Sequence, residues 1–204
     1  MLAASGAPAT TIMQVDVDYL LQHAALVIEA EVINRQAKLH SDQRTIYTRV
    51  TFRIHEIIKG EYTRPTITLD YAGGTIGERG TVVSAMVYPN PGERGIYFFE
   101  SPQRRLINPM VGWGQGHFII ERDSNGEDRL FTESKLPVVR VDPPATAKRN
   151  KKQPTDPATA LPAPSKAYSH GVAIGIQVGE RTMPKSQAMG TAVFLRTLRQ
   201  RLGE

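Results

Sequence analysis

Five histidines stand at positions 23, 40, 55, 117 and 170, and there is no cysteine. Without a thiol, a cysteine nucleophile, a thiolate zinc site and a disulfide scaffold are all excluded. The histidines fall in separate segments, and His55-Glu56 lacks the second histidine four residues on that a zinc-binding helix needs. No G-x-S-x-G nucleophile elbow is present. The glycine-rich stretch from Gly73 lacks the spacing of a phosphate-binding loop. Asp123, Glu127 and Asp128 surround Asn125-Gly126, but they do not supply an EF-hand ligand set and read as a solvated hairpin loop. The chain is therefore read as non-enzymatic, with no cofactor and no metal site.

The residues suited to recognition are Tyr47, Arg49 and Arg53, on one side of a long strand, and Trp113, the only tryptophan. Trp113 lies among Gly112, Gly114 and Gly116. Glycines at period two let a backbone or a ring come close. The segment reads either as a sharply bent strand relieved of crowding or as a groove with Trp113 as its anchoring ring. A basic run holds Lys148, Arg149, Lys151 and Lys152. It is either solvated or a contact for the phosphates of nucleic acid or anionic lipid.

The element that must position these side chains is Thr45–Gly60. Ile46, Thr48, Val50, Phe52 and Ile54 alternate with Tyr47, Arg49, Thr51 and Arg53. That period of two predicts a strand. At about 3.3 Å per residue it spans about 43 Å, longer than most strands, so it must curve. Two apolar residues after Glu56 predict a bulge, and Lys59-Gly60 a stop. Residues 25–34 form a partner strand, joined through a polar turn at 35–44. Further strands are expected at 65–72, 81–89, 96–99, 106–122, 129–132 and 136–141, with another at 172–178. Asp16 and Asp18 cap a short helix carrying Leu20 and Leu21. A terminal helix follows Thr182, with Pro184 in its first turn and an apolar stripe through Leu195, Leu198 and Leu202.

The fold class read from this order is mainly β: a small OB-like β-barrel, closed or partly open, with a short N-terminal helix and a C-terminal helix. Residues 1–15 are a flexible N-terminus and 16–141 the barrel domain. Residues 142–165 form a linker rich in proline, alanine and lysine. Residues 166–204 supply a strand and helix that pack on the barrel or on a partner. Charge follows the same division: residues 1–140 carry 15 basic and 16 acidic side chains, and residues 141–204 carry 10 and 4. No apolar run reaches the roughly 18 residues of a membrane-spanning helix.

Ala30 and Val32, the I-Y-T-x-V-T-F-x-I-H-E-I-I-K-G run to Gly60, the strand ending Ala72-Gly73-Gly74, P-G-E-R-G-I-Y-F-F and G-W-G-Q-G-H-F follow in order. This pattern resembles bacterial exported proteins of largely unknown role whose core is similar to the netrin/TIMP branch of OB-like barrels. The resemblance covers about residues 16–122 and the terminal helix. It implies a barrel used for protein contacts, with a protease or an envelope component as partner. TIMP-type inhibitors grip zinc through an N-terminal cysteine; this chain has none, so neither that mechanism nor the disulfides carry over.

The expected function is an exported protein-interaction module, periplasmic or secreted, its partner a protein. Ala3-Ala4-Ser5 and Ala7-Pro8-Ala9 have the composition of a signal-peptidase site, without a signal peptide in front of them. A disordered cytosolic N-terminus is the other reading of these residues. The alternative function is an OB-fold nucleic-acid-binding protein, which needs aromatics and cations on one barrel face. The net charge of the first 140 residues speaks against it.

Overall fold

The computed structural model describes residues 12–144 and 171–203. The expected long strand is there as β2 (Ile46–Lys59), paired antiparallel to an equally long β1 (Leu26–Leu39). Register shifts leave His55 and Ile58 as extra residues on β2, and Ile33 as one on β1. The predicted slip near Glu56 is thus two bulges. Each bulge sharpens the local twist and bends a strand that would otherwise overrun the core. β1 continues through residues 35–39, which the sequence reads as a turn. Their polarity reflects position: Arg35 and Gln36 are exposed and Ala37, Lys38 and Leu39 half-buried, although their β2 partners Ile46, Thr48 and Val50 are buried.

β3 (Thr66–Ala72), β6 (Arg94–Phe99), β7 (His117–Arg122) and β8 (Asp128–Thr132) complete a six-stranded antiparallel sheet in the order β3-β2-β1-β6-β7-β8. Two small two-stranded sheets stand apart from it. One joins β4 (Gly74–Ile76) to β5 (Arg79–Thr81), and the other β9 (Val138–Val141) to β10 (Ile176–Val178). The fold is mainly β with helices α1 (Val17–His23) and α2 (Thr191–Leu202).

The sheet is open, so of the closed or partly open barrel expected, the closed form is excluded. It is nevertheless strongly curled. Phe52 on β2 and Tyr97 on β6 flank β1 opposite Val32 and Ile28, so a flat sheet would hold their backbones about 16 Å apart, from about 9–10 Å across and about 13 Å along the strands. Their ring centroids are 4.8 Å apart, and Phe52 meets Phe99 at 5.3 Å. These rings, with Leu26, Ile28, Val50, Ile67 and Tyr71, form an aromatic-rich interior inside the curl. Residues 107–110 cross its open side. Met110 bridges Phe99, and Ile107 O accepts from Ala72 N at 2.9 Å. One hydrogen bond to β3 is not a ladder, so the ring of strands stays unsealed.

The opposite face carries the second core, where Val27, Ile96, Phe98, Phe118 and Leu130 meet both helices. Asp16 caps α1 by accepting from Tyr19 N at 2.7 Å. Lys59 Nζ closes its other end on Leu21 O and Ala24 O, where the helix dipole favours a cation. α2 buries Phe194, Leu195 and Leu198, and Phe194 lies 4.9 Å from Phe118. It begins nine residues after Thr182, because Lys185–Gln187 form a 3-10 turn and the chain then runs between β8 and β9: Leu130 N donates to Met189 O, and Met189 N to Val138 O.

Three other expected strands are different. Residues 82–89 form an irregular loop, with Val82 95% exposed and Met86 and Tyr88 packed against the aromatic interior. Residues 113–116 form a 3-10 turn rather than a bent strand. Of 172–178, only Ile176–Val178 forms a strand, and Ile174 makes a single bridge to Asp16, since Gly171 and Gly175 turn the backbone left-handed.

Candidate functional site

Pairing of β2 with β3 sets Arg49 opposite Asp70, Tyr47 opposite Ala72 and Thr51 opposite Thr68. Arg49 makes a two-pronged contact with Asp70: Nε to Oδ1 at 2.8 Å and Nη2 to Oδ2 at 3.0 Å. Arg105 reaches the same carboxylate, Nη2 to Oδ2 at 3.3 Å, and its Nη1 lies 2.7 Å from His40 Nε2. Both guanidinium carbons stand over the Tyr47 ring, at 5.4 and 5.5 Å from its centroid. The Asp70 hydrogen bond pushes the Arg49 pKa above its already high value. Two cations therefore share one anion on an aromatic platform. Arg49 is committed to Asp70, whereas the Arg105 side chain is 62% exposed and has donors to spare.

Trp113 belongs to a different structure. Gly112 and Trp113 are both left-handed, with φ of 63° and 59°. Gly112 is required there: a Cβ would stand 2.8 Å from Val15 Cγ2. Buried Gln115 ties this turn to the N-terminal segment. Its Oε1 accepts from Val15 N at 2.9 Å, and its Nε2 donates to Met13 O and Gly112 O, both at 3.0 Å. The result is a cavity of about 530 Å³ between Trp113, Met13 and the stacked Tyr19–His23 pair, whose centroids are 3.7 Å apart. Glu100 and Arg104 line it as well. Arg104 also lines a second cleft of about 130 Å³, together with Arg49, Thr68, Asp70 and Arg105. The 100–105 loop thus joins the Trp113 cavity to the Tyr47–Arg49 cluster.

Of the four residues expected to bind, Tyr47 and Arg49 are in contact and Trp113 connects to them through Arg104. Arg53 is apart. Six residues beyond Tyr47, or about 20 Å along a strand, it lies 3.5 Å from Glu31, which His55 also faces at 3.8 Å. Glu56 in the neighbouring bulge pairs with Arg199 of α2. Arg53 therefore belongs to the charged border of the helix layer. Lys148, Arg149, Lys151 and Lys152 lie outside the described residues. Sequence reasoning missed Arg104, Arg105 and Asp70. The available signals were the Arg-Arg doublet, read only as a polar turn, and the cross-strand register, which is invisible before β2 and β3 are aligned.

A second polar cluster is interior. His117 is buried, stacked on Tyr97 at 4.9 Å, with Nε2 2.8 Å from Glu93 Oε1 and Nδ1 without a hydrogen-bond partner. Burial drives the Glu93 carboxyl up, but the hydrogen bond and charge of His117 outweigh it and hold the pKa below the usual carboxylate value. Burial raises Glu133, opposed by His117 and reinforced by Glu93. Burial, and then the charge of Glu93, puts the Tyr71 phenol far above its ordinary range. His117, Glu93 and Glu133 line neither cavity. Among the described residues, no group of three or more His, Asp or Glu side chains is arranged to hold a metal ion.

No family model matches this chain, and no curated protein or solved structure is significantly similar to it.

Proposed function

We propose that the chain is a non-enzymatic, exported protein-interaction module built on a partly open OB-like barrel. The curl of β3-β2-β1-β6 around the aromatic interior, with residues 107–110 across its gap, supports the barrel reading. The export reading rests on the small-residue N-terminal composition and on the resemblance to exported bacterial proteins. One observation carries the function: a continuous surface runs from the Trp113 cavity over Arg104 to Arg105, Arg49 and Tyr47. Tryptophan, tyrosine, methionine and arginine are the residues enriched where proteins meet, and anchors in concave sites carry most of the binding energy. The polar groups of this surface are mainly arginines and the carboxylates Asp70 and Glu100, besides His23 and His40, a charge pattern suited to recognition.

Affinity capture from envelope and secreted fractions tests this, with the intact chain and Trp113→Ala as paired baits at high salt. A polypeptide retained by the first and lost from the second is the expected result. Identical capture by both, with the circular dichroism of the variant unchanged, removes the Trp113 cavity from the binding surface.

The nucleic-acid reading has one observation in its favour, the two guanidinium groups over Tyr47. Asp70 and Glu100 in the same surface oppose phosphate, so retention of nucleic acid should be weak and lost with salt.

A further inference from the structure

β3 is an edge strand, and its backbone is accounted for only in part. Ala72 N donates to Ile107 O, away from β2, at 2.9 Å. Thr66 O accepts from the Tyr62 hydroxyl at 3.1 Å, also away from β2. In an antiparallel pair, alternate residues direct their backbone groups to the same side. Thr68 and Asp70 therefore also point theirs outward. Among the described residues, no backbone group beyond the β2–β3 ladder pairs with them. The other edge of the sheet is protected: β8 is bridged at Arg129 by Gly190 and at Phe131 by Pro137.

The unpaired stretch opens on the 130 Å³ cleft, whose far wall is the loop carrying Pro102, Gln103, Arg104 and Arg105. That volume is about four water molecules at roughly 30 Å³ each. Three arginines line it and one carboxylate, Asp70, which Arg49 already occupies.

We propose that the β3 edge takes an extended segment of a partner protein as an added strand, with an acidic side chain of that segment held in the cleft by Arg104 and Arg105. The inference rests on the interaction-module reading and specifies its binding mode. Backbone hydrogen bonds to Thr68 and Asp70 supply the docking, and the arginines select the side chain. A second copy of this chain is disfavoured, because the acidic residue its β3 would present, Asp70, is already held by its own Arg49 through two hydrogen bonds. A polynucleotide offers no backbone amides to match the edge.

The test is a titration of the full ¹⁵N-labelled chain with two capped hexapeptides, Val-Thr-Val-Glu-Val-Thr and its lysine-for-glutamate counterpart. The Thr68 and Asp70 amides should shift, with at least fivefold tighter binding of the acidic peptide. Thr68→Pro should abolish the shifts, since proline removes the outward donor yet is tolerated on an edge. Arg105→Glu should erase the preference between the peptides. Equal binding of both peptides by the unmodified chain overturns the proposal. So do silent Thr68 and Asp70 amides, shifts confined to Trp113, displacement of the peptide by a thymidine octamer alone, or self-association that Thr68→Pro dissolves. Shifts confined to Trp113 would leave the interaction-module reading standing, and the paired capture decides that reading independently.

Discussion

Val15 and Gln115 are one hundred residues apart in sequence and joined by a 2.9 Å hydrogen bond from the backbone of one to the side chain of the other. Gln115 is 1% exposed and Val15 4%, so water cannot replace the bond. Gln115→Leu leaves Val15 N and the carbonyls of Met13 and Gly112 without their side-chain partner. The cost of a stranded buried group is about 1–3 kcal/mol. The unfolding midpoint in urea should fall accordingly, and the Trp113 fluorescence should report a loosened cavity. An unchanged midpoint would show that the N-terminal segment is held by its packing alone.

Trp113 adopts φ of 59°, where an L-residue is disfavoured by about 1–2 kcal/mol. Glycine is free of that cost. Trp113→Gly should therefore be at least as stable as Trp113→Ala in urea unfolding, although glycine is ordinarily the worse replacement. A markedly less stable glycine variant would mean that the left-handed backbone is not retained once the ring is gone.

Phe52 contacts both Tyr97 and Phe99 across the curl and is fully buried. Phe52→Ala should destabilise by about 3–5 kcal/mol, as for other buried aromatics. Phe52→Leu, which keeps most of the volume, should cost less than half of that. Equal losses from both would place the energy in ring geometry rather than in filled space.

How much of this was readable beforehand depends on whether local pattern and tertiary position agree. β2 was legible because its alternation coincides with burial: Val50 and Phe52 are inside, Arg49 and Arg53 outside. Residues 82–89 alternate as well, but Met86 and Tyr88 reach the interior from a loop, which Tyr88 anchors through its hydroxyl bond to Ala72 O at 2.9 Å. Period two at Gly112–Gly116 suggested a strand, whereas those glycines serve a left-handed turn and close packing. On the surface, Tyr47 and Arg49 were visible as residue types. Their partners Asp70 and Arg105 are 21 and 56 positions from Arg49 and meet it only through sheet register and the 100–105 loop. Arg53 stands apart from Tyr47 and Arg49 for a related reason, since a long strand spreads one face over separate neighbourhoods.

Glu133 offers a pH test. Burial raises its carboxyl pKa in the folded protein. A carboxyl with a raised folded pKa favours folding below its unfolded pKa and loses that contribution as pH rises through the folded value. Glu133→Gln removes the ionisation, so it should raise the melting temperature relative to the parent at pH 7–8 and lose that advantage toward pH 4. Glu93 has the opposite sign: its folded pKa is depressed by His117, so its contribution is present above the unfolded pKa and fades in acid. Parallel melting curves for the parent and Glu133→Gln across this range would show that Glu133 is hydrated enough to titrate normally.

Asp70 separates the two recognition readings. Among the described residues it is the only acidic side chain lining the small cleft, and it neutralises cations on both sides. Asp70→Asn keeps the shape and removes the charge. Because Asp70 is 16% exposed and held by two hydrogen bonds from Arg49, the loss should be about 1.5–3 kcal/mol of stability. Its larger effect is on the field: Arg49, Arg104 and Arg105 are left without a counter-charge, and Arg49 gains donors to offer. If the surface takes an acidic peptide, Asp70→Asn should tighten the glutamate hexapeptide several-fold while the lysine peptide weakens. A polyanion such as a thymidine octamer should gain too, but only at low salt, since its contacts are sequence-independent and screened. A gain for the oligonucleotide that survives physiological salt, without any gain for the peptide, would make this cluster a phosphate site and move the chain to the nucleic-acid class.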